Sequence, residues 1–169
     1  MTGHIEIRFV TSNRHKIVEA QEILGTQGIK VIASDAKIHE LQTVDTPALV
    51  EDKLLKAFDR VGRPLFVEHT GLYLKHLGGL PGGLTQIFWD TLQADRFAEL
   101  FGKAAPIHEV IAKTMIGYCD GRNIQHFEGE IAGRIVESPR GPRDRRRLRI
   151  RLPNRTQISV AMAIAWRYP

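Results

Sequence analysis

The feature that most constrains this chain is a change of structural period within its first thirty residues. Ile5–Val10 reads as a strand, because β-branched and aromatic residues alternate with Glu6 and Arg8. Thr11-Ser12-Asn13 then offers helix-capping chemistry. Beyond it Ile17, Ala20, Ile23 and Leu24 recur at spacings of three and four, placing them on one helical face until Gly25 stops the run. Residues 29–33 return to a short strand. This strand–loop–helix–strand order predicts an α/β architecture.

The same signals continue downstream. Thr46-Pro47 reads as an N-cap followed by a first-turn proline. The helix it opens puts Val50, Leu54, Ala57, Phe58 and Val61 on one stripe, with Lys56 opposite, and ends before Gly62. Residues 64–67 form a buried strand that runs out into Glu68, His69, Thr70 and Gly71. Residues 92–101 look helical up to Gly102. Residues 112–119 and 123–136 read as two long strands joined by the turn pair Asp120-Gly121. In the second of them Phe127, Ile131 and Ile135 share one side, and Glu128, Glu130 and Arg134 the other.

Composition narrows the class. The chain has 169 residues, enough for one domain or two tightly joined lobes. A single cysteine, Cys119, excludes an internal disulfide and fits a reducing compartment. Residues 1–6 show no basic-then-apolar leader pattern, and residues 160–166 are too few to span a bilayer, so a cytoplasmic protein without membrane attachment is expected. The net charge of +5 is unevenly placed. Residues 1–138 carry 15 Lys+Arg against 18 Asp+Glu, whereas residues 139–169 carry nine arginines and one acid, Asp144. Basicity thus belongs to a tail, and any nucleic-acid reading applies to that segment alone.

The chemistry gathers in one stretch of the chain. Thr11 to Lys16 sits where a strand gives way to a helix N-terminus, whose backbone donors and dipole favour an anion, and Lys16 adds a charge one turn in. An ordinary cap with a solvated lysine is the alternative. Glu40 lies in a loop, and a magnesium ion bound to phosphates needs one or two such carboxylates. Glu68 and His69 stand at the end of a buried strand, where open α/β sheets place functional side chains. His69 is either a general base or a hydrogen-bonding part of a cleft wall. Leu77-Gly78-Gly79-Leu80-Pro81-Gly82-Gly83 lets backbone N–H groups approach a phosphate chain. Together these point to an enzyme acting on the phosphates of a nucleotide.

With these residues in place, the chain resembles the inosine triphosphate pyrophosphatase family, hydrolases of non-canonical purine nucleoside triphosphates. The resemblance runs over residues 7–141 and rests on several motifs. The opening Thr-x-Asn-x-x-Lys is met by Thr11, Asn13 and Lys16; a loop glutamate with glutamine two on, by Glu40 and Gln42; and the helix lysine before alanine, by Lys56-Ala57. The acidic Ser/Thr-Gly-Leu signature is met by Glu68, Thr70, Gly71 and Leu72, and the Leu-Gly-Gly-x-Pro-Gly loop by Leu77 through Gly82. The late hairpin motif is met by Phe127, Gly129, Glu130, Gly133 and Ile135.

The resemblance implies an elongated α/β fold, with a long twisted mixed sheet, flanking helices and two lobes around a cleft. It also implies a homodimer, a need for Mg²⁺, and cleavage of a nucleoside triphosphate to the monophosphate and pyrophosphate. Carried onto this chain, the candidate catalytic residues are His69 and Glu68, and the candidate metal ligands Glu40 and Glu68. The candidate substrate-binding set is Thr11, Ser12, Asn13, Lys16, Lys56, Thr70, Gly71 and Gly82.

The chain departs from the family pattern in three places. His69 stands where the family has aspartate, and histidine takes a proton but is a poor ligand for hard Mg²⁺. Gln86 falls near the family's basic residue after the glycine loop. After Pro139-Arg140-Gly141 the base-reading motifs give way to an arginine-rich tail over residues 142–169. A reading-frame change near Asp144 and a genuine basic extension both account for that switch. The alternative function is a catalytically impaired relative that binds nucleotide, or nucleic acid through the tail.

Overall fold

The computed structural model describes residues 5–106, 108–138, 149–151 and 157–159. In chain order these form β1 (Ile5–Val10), α1 (Arg14–Gly25), β2 (Ile29–Ser34), α2 (Thr46–Val61), β3 (Leu65–Leu74), β4 (Pro81–Gly82), α3 (Thr85–Ala98), β5 (Glu109–Cys119), β6 (Ile124–Ile135), β7 (Arg149–Arg151) and β8 (Gln157–Ser159). One mixed sheet orders the strands β2-β1-β3-β5-β6-β7-β8, with β4 on the β3 edge. β1 runs parallel to β2 and β3, while β5 to β8 follow as antiparallel neighbours. The expected α/β class and the mixed sheet are what the chain adopts.

Alternation along β3 sets where each helix packs. Phe66 stacks on Phe9 at 4.2 Å, and Ile17, Ala20 and Leu24 of α1 cover that pair. Leu65 and Val67 point to the opposite face, against Leu49, Val50, Leu54 and Ala57 of α2. Farther along, Leu72 and Leu74 return to the α1 face but meet Trp89 and Phe97 of α3, with Val110, Ala112 and Ile135 completing a separate core. The α1 and α3 cores therefore sit at opposite ends of one sheet face. Between them β3 presents Glu68 and Thr70.

The edge of β3 is open at the same place. Its pairing with β1 reaches only Phe66, and β4 takes up that edge at Leu72. Among the described residues, 67–71 thus have no strand neighbour on this side, while β5 holds the other side along the whole length of β3. Main-chain groups left open on an inner edge need other partners. Lys53 of α2 supplies one, donating to the Glu68 carbonyl at 3.2 Å.

Several boundaries differ from the sequence reading. β3 does not stop at Val67 but continues to Leu74, because each residue from Leu65 on has a partner in β5. The N-cap of α2 is Asp45, whose carboxylate accepts from the Ala48 N–H at 3.0 Å; Thr46 lies inside the first turn, its hydroxyl paired with the Tyr73 hydroxyl at 2.6 Å. The helix ends as expected at Gly62, whose φ of 61° is a left-handed C-cap conformation. Ile23, placed on the buried face of α1 by spacing, is 43% exposed. α3 starts at Thr85 rather than Leu92 and is kinked at Gln93, where φ is 55°. No helix among the described residues is long and apolar enough to cross a membrane. Apart from the backbones of β7 and β8, the arginine-rich tail and its expected nucleic-acid contacts lie outside the described residues.

Candidate functional site

The loop from β1 to α1 is shaped by its own side chains. The Thr11 hydroxyl accepts from the Asn13 N–H at 3.2 Å, and the Asn13 side chain accepts from the His15 N–H at 3.0 Å. Asn13 alone is therefore the N-cap, while Ser12 is exposed beside it. A cap of this kind satisfies one of the first-turn donors and leaves the rest facing outward as an anion site. One turn in, Lys16 swings onto β3 and meets the Glu68 carboxylate at 2.6 Å, with only 13% of the lysine side chain and 5% of the glutamate exposed.

Glu68 is the hub of the α1 face. Its other oxygen accepts from the Thr70 hydroxyl at 2.7 Å, and Thr70 in turn meets the Thr114 hydroxyl of β5 at 2.6 Å. Because Thr70 gives its proton to Glu68, Thr114 must donate to Thr70. On the other side of the open edge, Lys53 bonds Glu40 at 2.5 Å, and Glu40 approaches His69 Nδ1 at 4.0 Å. Two carboxylates, two ammonium groups and one imidazole thus meet where β3 lacks a neighbour.

Burial dominates the electrostatics. It lowers the Lys16 pKa, with Lys53 adding repulsion and Glu68 pulling the other way. It brings His69 down to about 4, against the raising influence of Glu40, so the imidazole is neutral at physiological pH. Burial also pushes the Glu40 carboxyl up, but the charge and hydrogen bond of Lys53 outweigh it and hold the group below its ordinary value. Among the described residues His69 Nε2 is buried with no hydrogen-bond partner, an orphan that a reacting group would satisfy.

The glycine loop lies beside this cluster. β4 pairs Gly82 with Leu72, two residues past Thr70. Gly71 has no room for a side chain, since a Cβ there would stand 2.6 Å from the Gly82 carbonyl oxygen. Thr85 locks the arrangement by accepting from the Leu72 N–H at 2.7 Å and donating to Gly82 O at 2.6 Å.

Several of the sequence-derived residues thus converge: Lys16, Glu68 and Thr70 on one face of β3 and Glu40 and His69 across its open edge influence one another electrostatically, with Gly71 and Gly82 next along the strand, while Thr11 and Asn13 shape the loop that leads to Lys16. Lys56 does not join them. It is exposed, pairs with Asp52 at 2.7 Å and reaches only the His39 carbonyl. The helix lysine inside the cluster is Lys53, which sequence reading missed although it interrupts the buried face formed by Leu49, Val50, Leu54 and Ala57. Glu19 was also missed. It stands one turn after Lys16, and burial, with Glu22 and Glu68 nearby, raises its carboxyl to about 7. Gln86 is exposed and hydrogen-bonds Asp90 on α3 at 2.9 Å.

Comparison with known proteins gives a consistent pattern. The model of the Ham1 family matches residues 7–145. The chain is 34% identical over 140 residues to a dITP/XTP pyrophosphatase of Methanopyrus kandleri, covering 81% of this chain and 73% of that one. It is 34% identical over 148 residues to the inosine triphosphate pyrophosphatase of Candida glabrata, covering 81% and 74%. Among solved structures, a Ham1 protein from Coxiella burnetii superposes with a TM-score of 0.63 at 21% identity, covering 93% of this chain and 86% of that one. At those identities the structural likeness speaks for the fold.

Proposed function

Because the chain belongs to the Ham1 family, we propose that it hydrolyses nucleoside triphosphates, purine triphosphates with non-canonical bases in particular, to the monophosphate and pyrophosphate. The observation that carries this reading is the meeting of Lys16, Glu68 and Thr70, on the α1 face of β3, with Glu40, Lys53 and His69 across the open edge of that strand. A polyanion finds there outward-facing N–H groups, a helix dipole and buried ammonium groups.

In the proposed reaction a water oxygen bonds to the α-phosphorus and the bond from that phosphorus to the bridging oxygen breaks. Pyrophosphate leaves with the bond's electron pair. Neutral His69 takes the water's proton, and Glu40, 4.0 Å away, stabilises the imidazolium that forms. Lys16 and the first turn of α1 hold the phosphates, and the Gly82 wall lets the main chain come close to them. Thr70, fixed by Thr114, keeps the Glu68 carboxylate in one orientation.

The donor set also fits a hard divalent ion. Glu40 and Glu68 offer carboxylate oxygen, the ligand type Mg²⁺ prefers, and substrate phosphates complete such sites. When bound, Mg²⁺ would neutralise charge on the phosphates. A homodimer belongs to the same proposal.

The test is turnover of inosine, xanthosine, adenosine and guanosine triphosphates with Mg²⁺, with products separated chromatographically. Monophosphate plus pyrophosphate, with the first two substrates preferred, supports the reading. A nucleoside diphosphate with inorganic phosphate, or no turnover of any of the four, overturns it.

A further inference from the structure

We infer that Lys53 is a built-in counter-cation that competes with the divalent ion for Glu40, so that the free protein takes up metal weakly. The inference rests on the reading of Glu40 as a metal ligand. Lys53 occupies a position of α2 whose neighbours Leu49, Val50, Leu54 and Ala57 are all buried against the sheet. A lysine at such a place must find an anion or a set of acceptors for its ammonium, because an isolated buried charge is costly. It has both: the Glu40 carboxylate at 2.5 Å and the Glu68 main-chain carbonyl at 3.2 Å.

Those two oxygens, with a second Glu40 oxygen facing His69, are the kind of environment a hard cation would take. The Lys53 ammonium already fills the need for positive charge there. The second carboxylate is engaged as well, since Lys16 bonds Glu68 at 2.6 Å. A divalent ion arriving alone must displace or repel an ammonium that cannot easily leave, the Lys53 side chain being only 11% exposed. A metal–triphosphate complex brings new anions, so the lysines can transfer to phosphate as the carboxylates turn to the metal. Metal and nucleotide are then taken up together, and Lys53 couples the two events.

The test uses Mn²⁺ as the probe, titrated into full-length protein without nucleotide and followed by the electron paramagnetic resonance of the free ion. Lys53→Met and Lys53→Gln remove the charge, Lys53→Arg keeps it, and thermal melts identify any variant that fails to fold. The two neutral variants are expected to bind Mn²⁺ at least tenfold more tightly than wild type. Lys53→Arg is expected to match wild type, and adding Glu40→Gln to either neutral variant is expected to cancel its gain. Neutral variants that bind no more tightly than wild type, a gain shared by Lys53→Arg, or a gain that survives Glu40→Gln would overturn the inference. Product analysis on wild-type protein keeps the two questions apart. Pyrophosphate release without the Mn²⁺ effect sinks only the role of Lys53, whereas the Mn²⁺ effect without turnover sinks only the proposed function.

Discussion

Replacing Gly71 by alanine tests whether the glycine wall and the charged cluster form one rigid unit. Gly71 sits within β3, paired with Lys113 of β5, so its backbone cannot retreat without breaking the sheet. The new Cβ would lie 2.6 Å from Gly82 O and 2.9 Å from Gly82 C, and ordinary contact begins at 3.4 Å. The β4 segment must therefore withdraw by about 0.8 Å. That withdrawal pulls on the Thr85 bridge between the Leu72 N–H and Gly82 O. Overpacking costs about 1–3 kcal/mol, and leaving a buried N–H unpaired costs about 1–3 kcal/mol. Together these give a loss of roughly 2–6 kcal/mol, which for a chain of this size lowers Tm by about 4–24 °C. Differential scanning calorimetry reads the first quantity and steady-state pyrophosphate release the second, where a displacement near 1 Å is expected to cut kcat/KM about 100-fold. Gly129→Ala is the control, because nothing among the described residues lies within 4 Å of its added methyl. A Gly71→Ala protein with wild-type Tm and kcat/KM would refute the reasoning.

Three further outcomes follow from the cluster's electrostatics. The His69 pKa in the folded chain, about 4, lies below its free value of 6.5, so the native state binds fewer protons; stability present above pH 6.5 is lost as pH falls toward 4. Urea unfolding is expected to lose about 2 kcal/mol between pH 7.5 and 5 in wild type relative to His69→Gln, and equal pH dependence of the two proteins would contradict burial of the imidazole. Glu19 has the opposite sign: its folded pKa of about 7 exceeds 4.5, so its protonated form is favoured and stability is lost as pH rises through that interval. Discounted for its half-exposed position, Glu19→Gln is expected to gain about 1 kcal/mol over wild type between pH 5 and 8. For the buried pair, Lys16→Met leaves Glu68 uncompensated at a cost of about 3–5 kcal/mol, and Lys16→Met with Glu68→Gln is expected to recover most of it; additive losses in the double mutant would show the two groups uncoupled.

The parts of the fold that were legible are those where one period dominates. β1, α1, β2 and the β5–β6 hairpin follow from alternation, spacing and the Asp120-Gly121 turn, and α2 stops where Gly62 predicted. The strand β3 was cut short because Glu68, His69 and Thr70 are polar, and polarity usually marks a strand's end. Here each finds a partner that sequence does not display: Lys16 for Glu68, Glu40 near His69, Thr114 for Thr70. The beginning of α3 was missed because Leu84 caps it without a side-chain hydrogen bond, and the kink at Gln93 divides its periodicity.

The candidate cluster, as a gathering of side chains, was legible in its motifs and less so in its lysines. Lys16 was placed correctly at the head of α1, since a helix following a strand fixes its direction. Lys56 and Lys53 differ by three positions on α2, nearly one turn, and only the packed sheet decides which reaches the carboxylates. The clue was a charged residue among buried apolar ones, outweighed by the match of Lys56-Ala57 to the family pattern. Thr114 carried no signal at all, because a threonine in a strand is ordinary.

In the proposed reaction the charged cluster at the open edge of β3 directs water to the α-phosphorus of a nucleoside triphosphate. Turnover of inosine triphosphate in ¹⁸O-enriched water, with the products resolved by ³¹P NMR, measures it directly. The account predicts the isotope-shifted resonance on the monophosphate and none on pyrophosphate. Label in pyrophosphate, or in inorganic phosphate beside a diphosphate, would contradict it.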